Sequence, residues 1–336
     1  MSFAFFWLLM ILMIIGLPIA FALMIAPGLS LLFDGQQSMF PMLLMRMYNG
    51  IDSFPLMAIP YFILAGEVMN RGGITTRLVR LSQALIGHLR GGLAHVNILS
   101  SILFAGLSGS AVADTSAIGS MLIPAMEKNG YTKRFSAAVT AASSVIGPII
   151  PPSGIMIIYA FVMNVSVAGL FAAGLIPGLL VGFSLMGMTV YLAKKRNYPV
   201  ASQRASLNEV AISFKGAILP LLTPIIILGG ILAGIFTPTE AAAIAAGYAI
   251  LISVIVLRTL KIKDIPKVLF TAALSSGMIL FLVGASTAFA TLVSLTGTAS
   301  KAMDIMNSIS QNPLVLLFLV NLLLFFVGMF LDAGPA

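Results

Sequence analysis

The chain has 336 residues, of which 60% are hydrophobic and 8% charged, with a mean hydropathy of +1.09. An ordinary soluble domain carries about three times that charge, so the composition defines an all-α polytopic membrane protein; a β-barrel would show short alternating segments, and none are visible. The absence of cysteine excludes a disulfide or thiolate metal site, two histidines make no histidine-rich cluster, and the net charge of +8 sits in short loops rather than in a nucleic-acid patch.

No basic region precedes the apolar run that starts at Phe3, so there is no cleavable-signal pattern. Residues 3–33 carry no charge and predict one first span, tilted or bent near Pro18 and Pro27. Residues 34–52 are mixed and Met-rich, an interfacial segment. Residues 53–70, with Pro55 and Pro60, predict a second span. Over 74–89, Leu78, Leu81, Leu85, Ile86 and Leu89 recur at helical spacing against Arg77, Arg80 and His88. That is an amphipathic helix lying along a membrane surface, in preference to an ordinary loop helix.

Residues 91–134 are the centre of the chain. A charge-free run leads into Gly106-Leu107-Ser108-Gly109-Ser110, then Asp114, Thr115 and Ser116, and turns apolar again. Arg77, Arg80 and Arg90 precede it; Lys128, Lys133 and Arg134 follow. Ends of like positive charge start and finish on the same, cytoplasmic, face. About 30 residues is too short for two spans but fits a hairpin that dips in and returns. A Gly/Ser tip at membrane depth leaves backbone groups unpaired, which is tolerated only against protein or a wet cavity. The segment therefore reads as a re-entrant hairpin offering a polar tip to an ion or solute.

Residues 135–193 contain no charge. Within them, Gly147-Pro148-Ile149-Ile150-Pro151-Pro152-Ser153-Gly154 cannot continue a helix, because prolines lack the N–H and clash with the preceding turn. So 135–165 is a broken span unwound over 147–154, and 166–193 returns. Lys194, Lys195, Arg196, Arg204 and Lys215 mark the cytoplasmic side. Spans near 216–236 and 239–257 meet at Phe236-Thr237-Pro238-Thr239-Glu240, and residues 258–267 are again basic. Residues 268–296 cross outward, 297–311 carry only Lys301 and Asp304, and 313–336 re-enter, ending in a small-residue string with Asp332.

At an offset of 218 residues Gly66 falls on Gly284 and Asp114 on Asp332. Each copy reads as span, amphipathic stretch and hairpin with one Asp at a small-residue tip. The basic loops open the first hairpin to the cytoplasm and the second to the other side. That is an inverted repeat, which in secondary transporters puts the substrate site near the midplane between copies.

Asp114 and Asp332 are acids inside apolar segments, and such residues are functional candidates by default. Asp114 has a competing role as a helix cap. Ser108, Gly109 and Ser110 offer the hydroxyl and carbonyl oxygens that a hard cation such as Na⁺ takes, by analogy with other oxygen-ligated cations. The free N–H groups of the return arm attract a carboxylate. Close packing by small residues is the bland alternative. The break over 147–154 supplies oxygens of the same kind, or is simply a kink. Glu240 belongs to a helix start, with Thr237 as cap and Pro238 in the first turn. His88 and His95 are solvated or packed residues, and the 20 Met residues face lipid or fill the core.

The strings PYFILAGEVMNRGGIT, LSGSAVADTSAIGSMLIPAM, IGPIIPPSGIMII, GIFTPTEAAAIAA and GMFLDAGPA, spread over the whole chain, resemble the large membrane subunit (DctM-type permease) of a tripartite ATP-independent periplasmic (TRAP) transporter. The resemblance implies an elevator-type carrier in the bacterial inner membrane, built of inverted repeats with two re-entrant hairpins and Pro-broken spans. It implies Na⁺-coupled uptake of organic acids delivered by a periplasmic binding protein, a small four-helix membrane subunit as partner, and no organic cofactor. It divides the chain into scaffold spans and surface arm (1–90), a first transport half (91–165), scaffold spans and second arm (166–308), and the start of the second hairpin (309–336). Carried onto this chain, the Na⁺ ligands would be Ser108, Gly109, Ser110, Ser144, Gly147, Pro148, Gly328 and Asp332, with Asp114 a further candidate. Ser110, Ser153 and Asp332 would face substrate.

Family members continue past this point, and the repeat implies about 75 further residues, so a chain ending at Ala336 is expected not to transport by itself. Two other classes compete. A carrier of similar fold could work without a binding protein. Gly106-Leu107-Ser108-Gly109 also fits an intramembrane serine protease, but such a Ser needs a His base, and no His follows position 95.

Overall fold

The structure is a computed structural model and describes residues 4–200 and 204–330. The described residues form helices and no strand, in two compact units: one from residues 1–53 and 277–336, the other from residues 54–276.

In the first unit α1 (Ala4–Ile14) and α2 (Ile19–Phe33) replace the single bent span expected over 3–33. Leu9 packs with Ala22 and Ala26. On one straight helix Leu9 and Ala26 would stand about 25 Å apart, so the two helices fold back on each other. Gly16, at φ +90°, and Pro18, extended at the cap of α2, make the reversal. α3 (Phe40–Ile51) turns the expected interfacial segment into a helix with Pro in its first turn. Phe5, Leu31, Leu43, Ala288 and Leu292 form this unit's core, with Phe5 edge-on to Phe289 at 5.3 Å. Ala288, Phe289 and Leu292 belong to α14 (Ile265–Leu295), which is followed by α15 (Thr298–Ile309) and α16 (Pro313–Phe330).

The second unit begins with a short turn at Phe54–Met57 and α4 (Ala58–Arg71). α5 (Ile74–Ile86) is amphipathic as expected, but Leu78 and Leu81 are buried against protein, on α6 (Gly92–Ser108) and α12 (Leu207–Leu232), while Leu85 and Leu89 stay exposed. α11 (Val167–Lys195) is continuous. α12 starts nine residues before the expected span, where Ser206 and Glu209 form a capping box. α13 (Pro238–Leu251) presents Ala241, Ala242, Ala245, Ala246 and Ala249 as a buried face and packs on α4, the close approach that small side chains permit.

Among the described residues, four helical stretches are long and apolar enough to cross a membrane, Val167–Lys195, Leu207–Leu232, Pro238–Val256 and Ile262–Leu295, or up to six if each of two bent helix pairs is one span. The order of apolar helix, amphipathic helix and apolar helix occurs as α4–α5–α6 and again as α14–α15–α16, and both middle helices start after a left-handed glycine, Gly73 and Gly297. The gapless 218-residue register does not hold: α5 starts at Ile74 and α15 at Thr298, so these elements are offset by 224.

Candidate functional site

α6 and α7 (Ala111–Lys128) form the expected hairpin, with only Gly109 and Ser110 between them. Gly109 ends α6 in the left-handed region at φ +58°, its N–H donating to Ala105 O at 3.1 Å. Ser110 is extended and caps α7, its Oγ accepting from the Ala113 N–H at 3.3 Å. Ser108 Oγ accepts a long 3.5 Å bond from the Ser110 N–H. The last carbonyls of one helix and the first N–H groups of the next are thus brought to one point.

The broken span consists of α8 (Lys133–Ser144), a single turn α9 (Ile146–Ile149) and α10 (Gly154–Met163), and its axis bends by 47°. The unwound stretch is 150–153, shorter than the expected 147–154. Gly147 and Pro148 lie in the α9 turn, where a proline near a helical start needs no N–H partner. Pro151 and Pro152, joined by a cis bond, remove two successive donors, and Ile150 and Ser153 on either side of them are extended. Ser153 occupies the cap position of α10 without making a side-chain cap bond.

Tip and break meet. A Cβ built on Gly109 would lie 2.6 Å from Pro152 O and 2.8 Å from Ser153 Cα. One on Gly147 would lie 3.2 Å from both Ser110 C and Ser110 O. Gly66 of α4 closes a third side, with Leu107 O and Ser108 Cα at 3.5 Å from its would-be Cβ. Ser108, Gly109, Ser110, Gly147 and Ser153 therefore belong to one small region of backbone and hydroxyl oxygens.

Behind the tip lies a polar network inside the apolar helices. Asn97 Nδ2 donates to Thr140 Oγ1 at 2.8 Å, Ser101 Oγ to Ser143 Oγ at 3.1 Å, and Ser143 Oγ to Asn97 Oδ1 at 3.0 Å. Ser144 Oγ donates to Thr140 O at 2.6 Å and accepts from Thr115 Oγ1 at 2.7 Å. Asp114 is fully buried beside the hydroxyls of Ser101 and Ser144, yet neither carboxylate oxygen has a hydrogen bond of ordinary geometry. The reason is in the donor count. Each hydroxyl has one hydrogen, and those of Ser101 and Ser144 are divided between the Asp114 carboxylate and the oxygens of Ser143 and Thr140. Buried Ser153 Oγ is likewise without a partner. Buried oxygens left this way suit an ordered water or a cation.

Asn97, Ser101, Thr115, Thr140 and Ser143 were not expected from sequence. Their signal is a polar stripe at helical spacing, Asn97/Ser101 on α6 and Thr140/Ser143/Ser144 on α8. Gly328 lies exposed in the last turn of α16, and Asp332 lies outside the described residues. Glu240 takes the structural role expected, accepting from the Thr237 N–H at 2.8 Å in a capping box. His95 is buried, with no partner for Nε2, and His88 is half-buried.

A helical chain with four membrane-length apolar stretches, and a two-residue hairpin tip closed on a proline break, has the build of a membrane permease. Residues 6–336 match the family "Tripartite ATP-independent periplasmic transporter, DctM component", and the chain belongs to it. It is 41% identical over 318 residues to the sialic acid TRAP transporter large permease protein SiaM of Vibrio cholerae, covering 95% of this chain and 74% of that one. It is 40% identical over 329 residues to the sialic acid TRAP transporter permease protein SiaT of Haemophilus influenzae (97% and 52%), and 37% identical over 341 residues to the C4-dicarboxylate TRAP transporter large permease protein DctM of Rhodobacter capsulatus (97% and 77%). The chain thus spans about half to three quarters of the length of these relatives. All three are named as transporter permease proteins, which is consistent with the expectation that the chain is not an enzyme.

Proposed function

We propose that this chain is the large permease subunit of a Na⁺-coupled symporter that brings small organic acids across a bacterial inner membrane. The acid is handed over by a periplasmic binding protein, and a small four-helix membrane subunit completes the scaffold. The observation that carries this reading is the contact of the hairpin tip with the proline break. It brings together backbone and hydroxyl oxygens of Ser108, Gly109, Ser110, Gly147, Pro152 and Ser153, and Asp114 and Ser153 lie buried without a hydrogen bond of ordinary geometry. Such an oxygen set suits a hard monovalent cation. The N-termini of α7 and α10, capped by Ser110 and Ser153, carry the partial positive charge that attracts a carboxylate. Relatives are named for sialic acid, C4-dicarboxylate and 2,3-diketo-L-gulonate, which are carboxylates, and for isethionate, a sulfonate; all are small organic acids, which supports that substrate class. The recurring order α4–α5–α6 and α14–α15–α16 supports two hairpin-bearing halves, which we read as an inverted repeat moving as an elevator. Gly328 and Asp332 would supply the second half's ligands.

The test is uptake into proteoliposomes containing the full-length permease and its small subunit, with and without a Na⁺ gradient and the binding protein. Uptake is expected only with both. Uptake that ignores Na⁺ removes the coupling, and uptake without the binding protein favours an independent carrier of the same fold.

A further inference from the structure

We propose that the groove between α6, α8 and α11 binds an anionic phospholipid of the cytoplasmic leaflet. The groove encloses about 300 Å³. Its walls are apolar: Ile98 from α6, Ala138 and Ala142 from α8, and Leu185, Met188 and Leu192 from α11. The four-residue step from Ala138 to Ala142 keeps two small side chains on one face and leaves a channel along α8. On α11 the steps of three and four residues set Leu185, Met188 and Leu192 as the facing wall.

The groove has a polarity. α8 runs from Arg134 towards Ala142, and α11 runs from Leu185 towards Arg196. The Arg196 guanidinium lies 5.4 Å from the centre of the Phe135 ring, so the two helices are antiparallel and both arginines stand at one end. From there the apolar wall extends about 12 Å along α8 by helical rise. Lys133, Lys194 and Lys195 flank the same end, the basic side that marks the cytoplasmic surface.

Both guanidiniums are exposed, and neither pairs with a carboxylate among the described residues. Arg134 makes no side-chain hydrogen bond there, and Arg196 makes only a 3.5 Å one to Tyr198 Oη. Two guanidiniums with no carboxylate partner among the described residues, standing above an apolar slot, complement a phosphate headgroup with an acyl tail. The guanidinium fork takes phosphate oxygens in pairs, and basic pockets between spans on the cytoplasmic side favour anionic headgroups. A lipid seated here would touch a hairpin helix, the start of the broken span and α11 together. The proposal does not depend on Na⁺ coupling.

The experiment uses the full-length permease with its small subunit, stripped of native lipid and then given phosphatidylglycerol, phosphatidylcholine or glycerol phosphate. Bound lipid is counted by native mass spectrometry alongside the melting temperature. Phosphatidylglycerol is expected to be retained and to raise the melting temperature, above phosphatidylcholine, with glycerol phosphate without effect. Each of Arg134→Ala and Arg196→Ala should weaken phosphatidylglycerol by about fivefold, and Ala142→Trp should expel the tail of either lipid. Arg134→Lys/Arg196→Lys should keep part of the preference, which separates charge from misfolding. Equal retention of both lipids, a preference that survives both Ala changes, retention unaffected by Ala142→Trp, or equal protection by glycerol phosphate would each overturn the proposal. So would a small subunit that covers the groove and excludes lipid.

Discussion

Gly109 and Pro152 stand so close that a single methyl group does not fit between them: a Cβ on Gly109 would be 2.6 Å from the Pro152 carbonyl oxygen. Gly109 also needs φ +58°, which side chains resist. Gly109→Ala is therefore expected to cost about 1–3 kcal/mol and to reduce Na⁺-driven uptake more than tenfold. Gly147→Ala, with 3.2 Å to the Ser110 backbone and no positive φ, should be milder. Melting temperature and uptake measured side by side check both; equal effects would remove the close-contact argument.

Asp114→Asn keeps the shape of the side chain, removes a buried charge and brings two hydrogens of its own to the hydroxyls of Ser101 and Ser144. Folding should be unharmed or improved, while the Na⁺ concentration for half-maximal uptake rises about tenfold. A Na⁺ titration of uptake beside a melting curve decides this. A variant that loses stability and keeps its Na⁺ dependence would make Asp114 a structural residue.

Asn97→Ala removes the group that ties Thr140 to Ser143, deleting two buried hydrogen bonds while Thr140 keeps Ser136 O and Ser143 keeps Thr140 O. The expected loss is about 1–3 kcal/mol. Hydrogen exchange should rise in α6 and α8 together, and an effect confined to α6 would contradict the network.

Thr237→Ala breaks the capping box with Glu240 at the start of α13. It should cost about 1 kcal/mol of stability and leave the Na⁺ and substrate dependence of uptake unchanged. A changed Na⁺ dependence would move Glu240 from scaffold to site.

The hairpin was legible because its parts are local. A Gly/Ser string between charge-free runs with basic ends admits few other readings. The proline break was legible too, but its width was not. Gly147 and Pro148 look like breakers, yet Pro148 sits where a new helical turn starts and costs nothing there. The reversal between α1 and α2 was hidden because no charge interrupts residues 3–33, although Gly16 and Pro18 were available as turn residues. The network joining Asn97 to Thr140 and Ser143 spans more than 40 positions in sequence, and only the folded pairing of α6 with α8 brings it together. Asp114 stood out as an acid in an apolar run; its neighbours Ser101 and Ser144, on two other helices, come to it only through the fold.

Only two residues link α6 to α7, and they interlock with the chain at 152–153. A loop that short has no slack with which to open by itself. Whatever rearrangement lets a solute pass, the hairpin end and the proline segment travel as one piece, and the give has to come from longer connections elsewhere in the chain.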